Sequence, residues 1–113
     1  MDTIIYKNMS EEKYIKWLIN GQKSVEVRLN KPEYLNAKYI IFTCLDTKNV
    51  FKFKIINKTI FNSFKECVEF YGFNKLICDS NSNNDCINKY KSFYLNKEYL
   101  NNKVIALKLD LIS

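Results

Sequence analysis

The run Gly21-Gln22-Lys23-Ser24-Val25-Glu26-Val27-Arg28 decides how this chain is read. Ahead of it, Tyr14, Trp17 and Leu18 recur at helical spacing. Ser10 offers a cap, and Glu11 and Glu12 place negative charge in a first turn where the helix dipole favours it. Gly21 supplies the stop. A helix is therefore predicted over about residues 10–20. From Ser24 the period changes to two. Val25, Val27 and Leu29 share one strand face, and Ser24, Glu26 and Arg28 share the other. If the apolar face packs into a core, the polar face lines a surface or a cleft. Pro32 ends the strand.

Arg28 is the sole arginine, against seventeen lysines. A composition this rich in Lys and Asn is that of AT-rich coding, which writes basic positions as lysine. One retained arginine points to a place where a planar, forked donor is needed and a point charge would not serve.

Beyond this run, residues 39–45 read as a buried strand, and Asp46-Thr47-Lys48-Asn49 as the turn of a hairpin. The returning arm sets Phe51, Phe53 and Ile55 on one face and Lys52 and Lys54 on the other, with strand character running on toward Ile60. Ser63 and Glu66 form a capping-box pattern, and Phe64, Cys67, Val68 and Tyr71 follow at helical spacing up to Gly72. Residues 79–85 read as a polar loop. Cys86, Ile87 and Tyr90, with Phe93 or Tyr94, predict another helix. Ile105, Leu107, Leu109 and Leu111 alternate with Ala106, Lys108 and Asp110 as a closing strand. The order is helix, strand, hairpin, helix, helix, strand. That order predicts an α+β fold, with a small twisted or barrel-like sheet and flanking helices, rather than a doubly wound sheet.

The chain of 113 residues has the size of one domain, 1–113, and with two glycines and one proline it has little linker character. No run reaches the about 18–20 apolar residues that span a bilayer. The stretch Met1 to Lys7 lacks a basic segment followed by an apolar one, so a cytoplasmic protein without a membrane partner is expected. Cys44, Cys67, Cys78 and Cys86 form no C-x-x-C pair, and histidine is absent, so no metal and no cofactor are expected. Absence of histidine also excludes Ser-His-Asp and Cys-His catalysis. The net charge of +6 favours an anionic partner, with nucleic acid the first candidate.

The run 21–28 after an amphipathic helix resembles the ASCH domain family, whose pattern is a helix ending in Gly-x-Lys-Thr and then an apolar-Glu-apolar-Arg strand. Tyr39-Ile40-Ile41-Phe42 is similar to that family's second strand, and Phe61-x-Ser63-Phe64 to its F-x-S-F segment. Tyr90-x-x-Phe93-Tyr94 and Val104-Ile105-Ala106-Leu107 are similar to its closing aromatic helix and last strand. The likeness covers about residues 10–112. It departs at Ala37-Lys38, where many members have Gly-Asp, at Lys103 in place of a glycine, and at Ser24 in place of threonine. The resemblance implies a PUA-like mixed β-barrel with a cleft beside the first helix, and an RNA- or nucleotide-related role.

On this reading Lys23, Ser24, Glu26 and Arg28 are the ligand-binding residues, and Arg28, Lys52 and Lys54 contact nucleic acid. Glu26 and Arg28 would either form an ion pair that organises the cleft floor or recognise ligand, Glu26 accepting from a base edge and Arg28 taking phosphate or stacking, and one of Tyr90, Phe93 and Tyr94 would stack a base. The alternative is an amidohydrolase that deacylates a modified nucleoside such as N4-acetylcytidine, which some small bacterial relatives perform with Lys, Thr and Glu. The lysine would then be Lys23. The threonine falls at Glu26, so Ser24 would supply the hydroxyl, and the carboxylate would be Glu26 itself, or Glu66 or Glu69. A protein-interaction adaptor is the third reading.

Overall fold

The computed structural model describes residues 3–112; the first two residues of the amino-terminal stretch read above lie outside them. Five strands form one mixed sheet: β1 (Thr3–Met9), β2 (Glu26–Leu29), β3 (Ala37–Cys44), β4 (Val50–Phe61) and β5 (Val104–Leu111). Their order across the sheet is β1-β3-β4-β5-β2. β1 runs parallel to β3, and every other pairing is antiparallel. The helices are α1 (Glu12–Asn20), α2 (Phe64–Tyr71) and α3 (Asn83–Ser92).

The sheet curls into a half-barrel. β4 makes the curl. It pairs with β3 through Val50–Lys54 and with β5 through Phe53–Phe61, and the β5 register shifts between Ile55 and Asn57. An unpaired residue in one strand bends it and increases its twist. Two cores result. Inside the curl, Ile40, Phe42, Phe53, Ile105 and Leu107 pack with Ile15 of α1. On the other face, Val25, Val27, Leu29, Val104 and Ala106 pack against Phe64, Val68 and Tyr90 of α2 and α3. Successive strand residues point to opposite faces, so β5 must be apolar on both where it divides the cores. Val104, Ile105, Ala106 and Leu107 are all buried. The expected in-out alternation of this strand is therefore corrected: its first half is buried throughout, and the polar positions Lys108 and Asp110 come only where it leaves the cores.

Three local expectations also change. β1 was not foreseen. Helix α1 begins two residues later than predicted, and Ser10 does not cap it. The cap comes instead from the β3–β4 turn, where the Asp46 carboxylate accepts from the Glu12 N–H at 3.1 Å. The same turn donates from Thr47 Oγ1 and Asn49 Nδ2 to Glu12 Oε1, each at 2.7 Å. The polar segment 79–85 is only half loop, because Ser82 caps α3 by accepting from the Asp85 N–H. Other readings hold: β4 is one long strand, and Ser63 accepts from the Glu66 N–H to begin α2. Among the described residues no helix is long and apolar enough to cross a membrane.

Candidate functional site

Because β1 and β2 are the two ends of a curled sheet, they face each other across an open seam. Arg28 bridges it. Its Nη2 donates to the Asn8 carbonyl of β1 at 2.9 Å, and its Nε donates to Glu26 Oε2 at 3.0 Å. The guanidinium carbon lies 5.2 Å from the centre of the Phe42 ring. One rigid planar fork meets a carbonyl, a carboxylate and an aromatic face together, which a lysine ammonium cannot do. Burial would pull the Arg28 pKa down, but the adjacent Glu26 carboxylate outweighs it and holds the pKa above its ordinary value.

Lys23 enters the same space from the end of α1. Gly21 takes the left-handed conformation (φ 85°), and the chain turns back so that the Lys23 N–H donates to the Trp17 carbonyl at 3.0 Å. That turn sends the Lys23 side chain inward, where it is 3% exposed. Its Nζ lies 3.2 Å from Glu26 Oε1, and 5.8 and 5.9 Å from the ring centres of Tyr14 and Tyr90. A buried ammonium requires such partners.

Glu26 joins the two cations, one on each oxygen. It sits on the inner face of β2 because its register partner is Leu107, just as Arg28 is opposite Ile105. Burial pushes the Glu26 carboxyl up, yet Lys23 and then Arg28 outweigh burial and hold it below the usual carboxylate value. The result is a Lys23–Glu26–Arg28 triad, with Lys23 and Glu26 buried and Arg28 half-buried, that carries two positive charges to one negative.

The triad forms the wall of a cleft of about 270 Å³, closed by Tyr14 of α1 and by the carboxy-terminal end of α3. Three aromatic residues there have distinct places. Tyr94 is structural, its hydroxyl accepting from the Leu29 N–H at 3.0 Å. Tyr90 is stacked on Phe64, with ring centres 5.1 Å apart and planes within 4°. Its hydroxyl is buried with no hydrogen-bond partner among the described residues, and burial raises its pKa far above the ordinary phenol value. Phe93 lies at the rim, 51% exposed.

Of the residues singled out in the sequence, Lys23, Glu26 and Arg28 come together and Ser24 does not. The strand begins at Glu26. Ser24 precedes it, exposed, with its N–H bonded to the Lys75 carbonyl, and it opens onto a neighbouring groove beside Asn57 and Lys108. The expectation that Ser24 shares the strand face of Glu26 is thus corrected. Lys52 and Lys54 lie on the outer face of β4, opposite buried Phe53. Lys52 covers the Tyr39 ring at 4.9 Å, and neither lysine lines the cleft. Glu66 and Glu69 are exposed on α2 and do not line it either. Cys44, Cys67 and Cys86 are buried thiols, Cys78 is half-buried, and among the described residues no three metal-ligating side chains are grouped.

Sequence reasoning missed the Asn8 carbonyl, Ser10 and Tyr14 as lining residues, and the unpartnered state of the Tyr90 hydroxyl. Asn8 and Ser10 belong to the strand that was not foreseen and its exit. Tyr14 carried only a helical-spacing signal, which a core residue gives equally. A hydroxyl without a partner has no signature in sequence at all.

No family model matches the sequence, and no curated protein matches it. Solved structures do. Hypothetical protein PH0355, known from a crystal structure, is similar at a TM-score of 0.73 and 24% identity, over 97% of this chain and 100% of that one. Protein PF0455 from Pyrococcus furiosus, known from a solution NMR structure, is similar at a TM-score of 0.70 and 19% identity, over 98% of this chain and 99% of that one. At these identities the likeness is one of fold: this chain has the half-barrel with flanking helices of a small α+β protein, compatible with a PUA-like fold.

Proposed function

We propose that this chain is an ASCH-type, PUA-like domain of the cytoplasm that binds a nucleotide-like ligand, one unit of single-stranded RNA or a free nucleotide, in the seam cleft. The observation that carries this is the Lys23–Glu26–Arg28 triad, its Lys23 and Glu26 buried, beside a Tyr90 hydroxyl with no partner among the described residues. Replacing a buried ion cluster by apolar residues is often neutral or stabilising, so stability alone does not account for one here. Nor does it account for a phenol left without a partner, since nearly all buried polar groups have one. Both are accounted for if a ligand completes the site. The volume lies just under the about 300–1,000 Å³ range of ordinary ligand pockets, which suits a single small unit and not a duplex. Phe93 at the rim offers a stacking face of the kind by which single-stranded RNA is commonly held. The net charge of +6 assists encounter with an anion.

One observation favours an amidohydrolase as a second reading: an ammonium and a carboxylate are held 3.2 Å apart inside the cleft. In that reading Ser24 is poorly placed to supply the hydroxyl, whereas Ser10 and Tyr90 line the same space. Among the described residues Glu26 is then the one carboxylate that lines the cleft.

Fluorescence anisotropy across a salt series, with short single-stranded RNA, duplex RNA and duplex DNA, tests the binding reading. Single strands are expected to bind, and affinity to fall with salt. Arg28→Ala and Phe93→Ala should each weaken binding about tenfold, while Lys54→Ala changes it little. Phe93 is exposed, so its variant is informative even if Arg28→Ala melts early. Equal binding by both site variants would overturn the cleft as the nucleic-acid site. Turnover of N4-acetylcytidine that disappears in Lys23→Met would replace the binding reading by the hydrolase.

A further inference from the structure

The hydrogen-bond inventory of the cleft says which end of a ligand goes in first. Glu26 Oε1 already holds Lys23, and Oε2 already holds Arg28 Nε. Arg28 Nη2 is used on the Asn8 carbonyl, with Met9 Sδ a weak neighbour at 4.0 Å. Around the triad and Tyr90, what is left over is donors. Among the described residues nothing accepts from Arg28 Nη1, and nothing meets the Tyr90 hydroxyl. Burial keeps that phenol protonated and therefore able to donate. The charge is also unbalanced, since among the described residues Lys23, Glu26 and Arg28 are the charged ones that line the cleft.

Resting on the reading of the cleft as a nucleotide-type site, we propose that its floor is an oxyanion subsite. Arg28 Nη1 and the Tyr90 hydroxyl receive a phosphate or carboxylate oxygen of the ligand, and the planar remainder lies outward against Phe93. A neutral carbonyl would fill the vacant donors but leave the surplus positive charge, whereas an oxyanion satisfies both. Of the two roles that the sequence offers Glu26, this one is the ion pair that organises the cleft floor. Glu26 does not read the amino edge of a base; it holds the two cations in place and sets the direction of the guanidinium. It is a positioning residue. The base is then held by stacking, which tolerates any base, so discrimination among bases is weak and discrimination between charged and neutral ligands is strong.

Titration calorimetry with uridine, uridine 5′-monophosphate, benzoate and inorganic phosphate, on wild type and Tyr90→Phe, tests this. Tyr90→Phe keeps the ring on Phe64 and removes a hydroxyl that holds no protein partner, so the variant should fold with a melting temperature at least that of wild type. The monophosphate is expected to bind at least tenfold more tightly than uridine. Tyr90→Phe should cost it about tenfold, as expected for one hydrogen bond to a charged group, and leave uridine within twofold. If uridine binds as tightly as its monophosphate, or Tyr90→Phe binds the monophosphate as well as wild type, the oxyanion subsite is wrong and the nucleotide reading survives. If benzoate or phosphate binds in a Tyr90-dependent manner and neither uridine probe binds, the subsite stands and the nucleotide reading falls. If no probe binds, both are wrong.

Discussion

Replacing Glu26 by glutamine is expected to destabilise the fold by about 3–5 kcal/mol, the usual consequence of leaving buried charge uncompensated. Two cations rest on this one carboxylate, Lys23 at 3.2 Å and Arg28 at 3.0 Å, and the side chains of Lys23 and Glu26 are all but closed to water. Removing the negative charge leaves an ammonium closed to water beside a half-buried guanidinium, with no counter-charge for either. The same carboxylate sets an acid limit. Its pKa is lowered in the folded state by Lys23 and Arg28, against the opposing push of burial. A carboxyl depressed on folding contributes fully above its unfolded value, near pH 4.3, and that contribution is lost as pH falls through the folded value. Wild type should therefore lose stability steeply below about pH 4.3, and Glu26→Gln less steeply. Some acid slope will remain in the variant, because Glu12, Asp79 and Asp85 are also lowered on folding. Urea unfolding from pH 7 down to pH 3 measures both. A loss under about 1 kcal/mol, the range of exposed pairs, with an unchanged acid slope, would show that Glu26 does not hold the two cations as a coupled unit.

Replacing the whole triad gives the opposite result in stability. The triple variant Lys23→Met, Glu26→Leu, Arg28→Met is expected to be at least as stable as wild type, since apolar residues of similar volume commonly match or exceed a buried ion cluster by about 1–4 kcal/mol. The walls nearby are already apolar, with Phe42 against Arg28 and Val27 beside the cleft. Ligand binding should vanish in the same variant. Stability retained with function lost separates a triad kept for recognition from one kept to organise the barrel. The structural role it would uncover is the Arg28 bond to the Asn8 carbonyl, the link across the seam from β2 to β1. If the triple variant is several kcal/mol less stable and β1 exchanges its amide hydrogens quickly, that link holds the half-barrel closed and the triad is structural. Thermal melts and hydrogen exchange on the one preparation distinguish the outcomes.

The charged half of the site was legible because a strand enforces a period of two. Once Val25, Val27 and Leu29 are assigned to a core, Glu26 and Arg28 must share the other face. Ser24 fails the same argument because pairing to β5 begins only at Glu26, and Ser24, two residues earlier, bonds through its N–H to the Lys75 carbonyl. Lys23 was legible as a residue turned back by a helix stop, but its burial was not. Burial depends on Tyr14, Tyr90 and Glu26 arriving from three separate elements. β1 escaped notice for a related reason. Its partner is β3, more than thirty residues on, in parallel register, as Ile5 with Ile40 shows, and parallel pairs have no hairpin turn to announce them. The cap of α1 is likewise a tertiary one, Asp46 reaching Glu12 across the β3–β4 turn. The β3–β4 hairpin and the Ser63 cap were readable because their partners are near in the chain.

The most direct test of the central claim, that the seam cleft is the ligand site, is an amide-shift titration of the labelled protein with uridine 5′-monophosphate. The largest changes are expected at Lys23, Glu26, Arg28, Tyr90 and Phe93, saturating together, with Ser24, Lys52 and Lys54 unmoved. Changes centred on Lys52 and Lys54, or none at millimolar ligand, would contradict it.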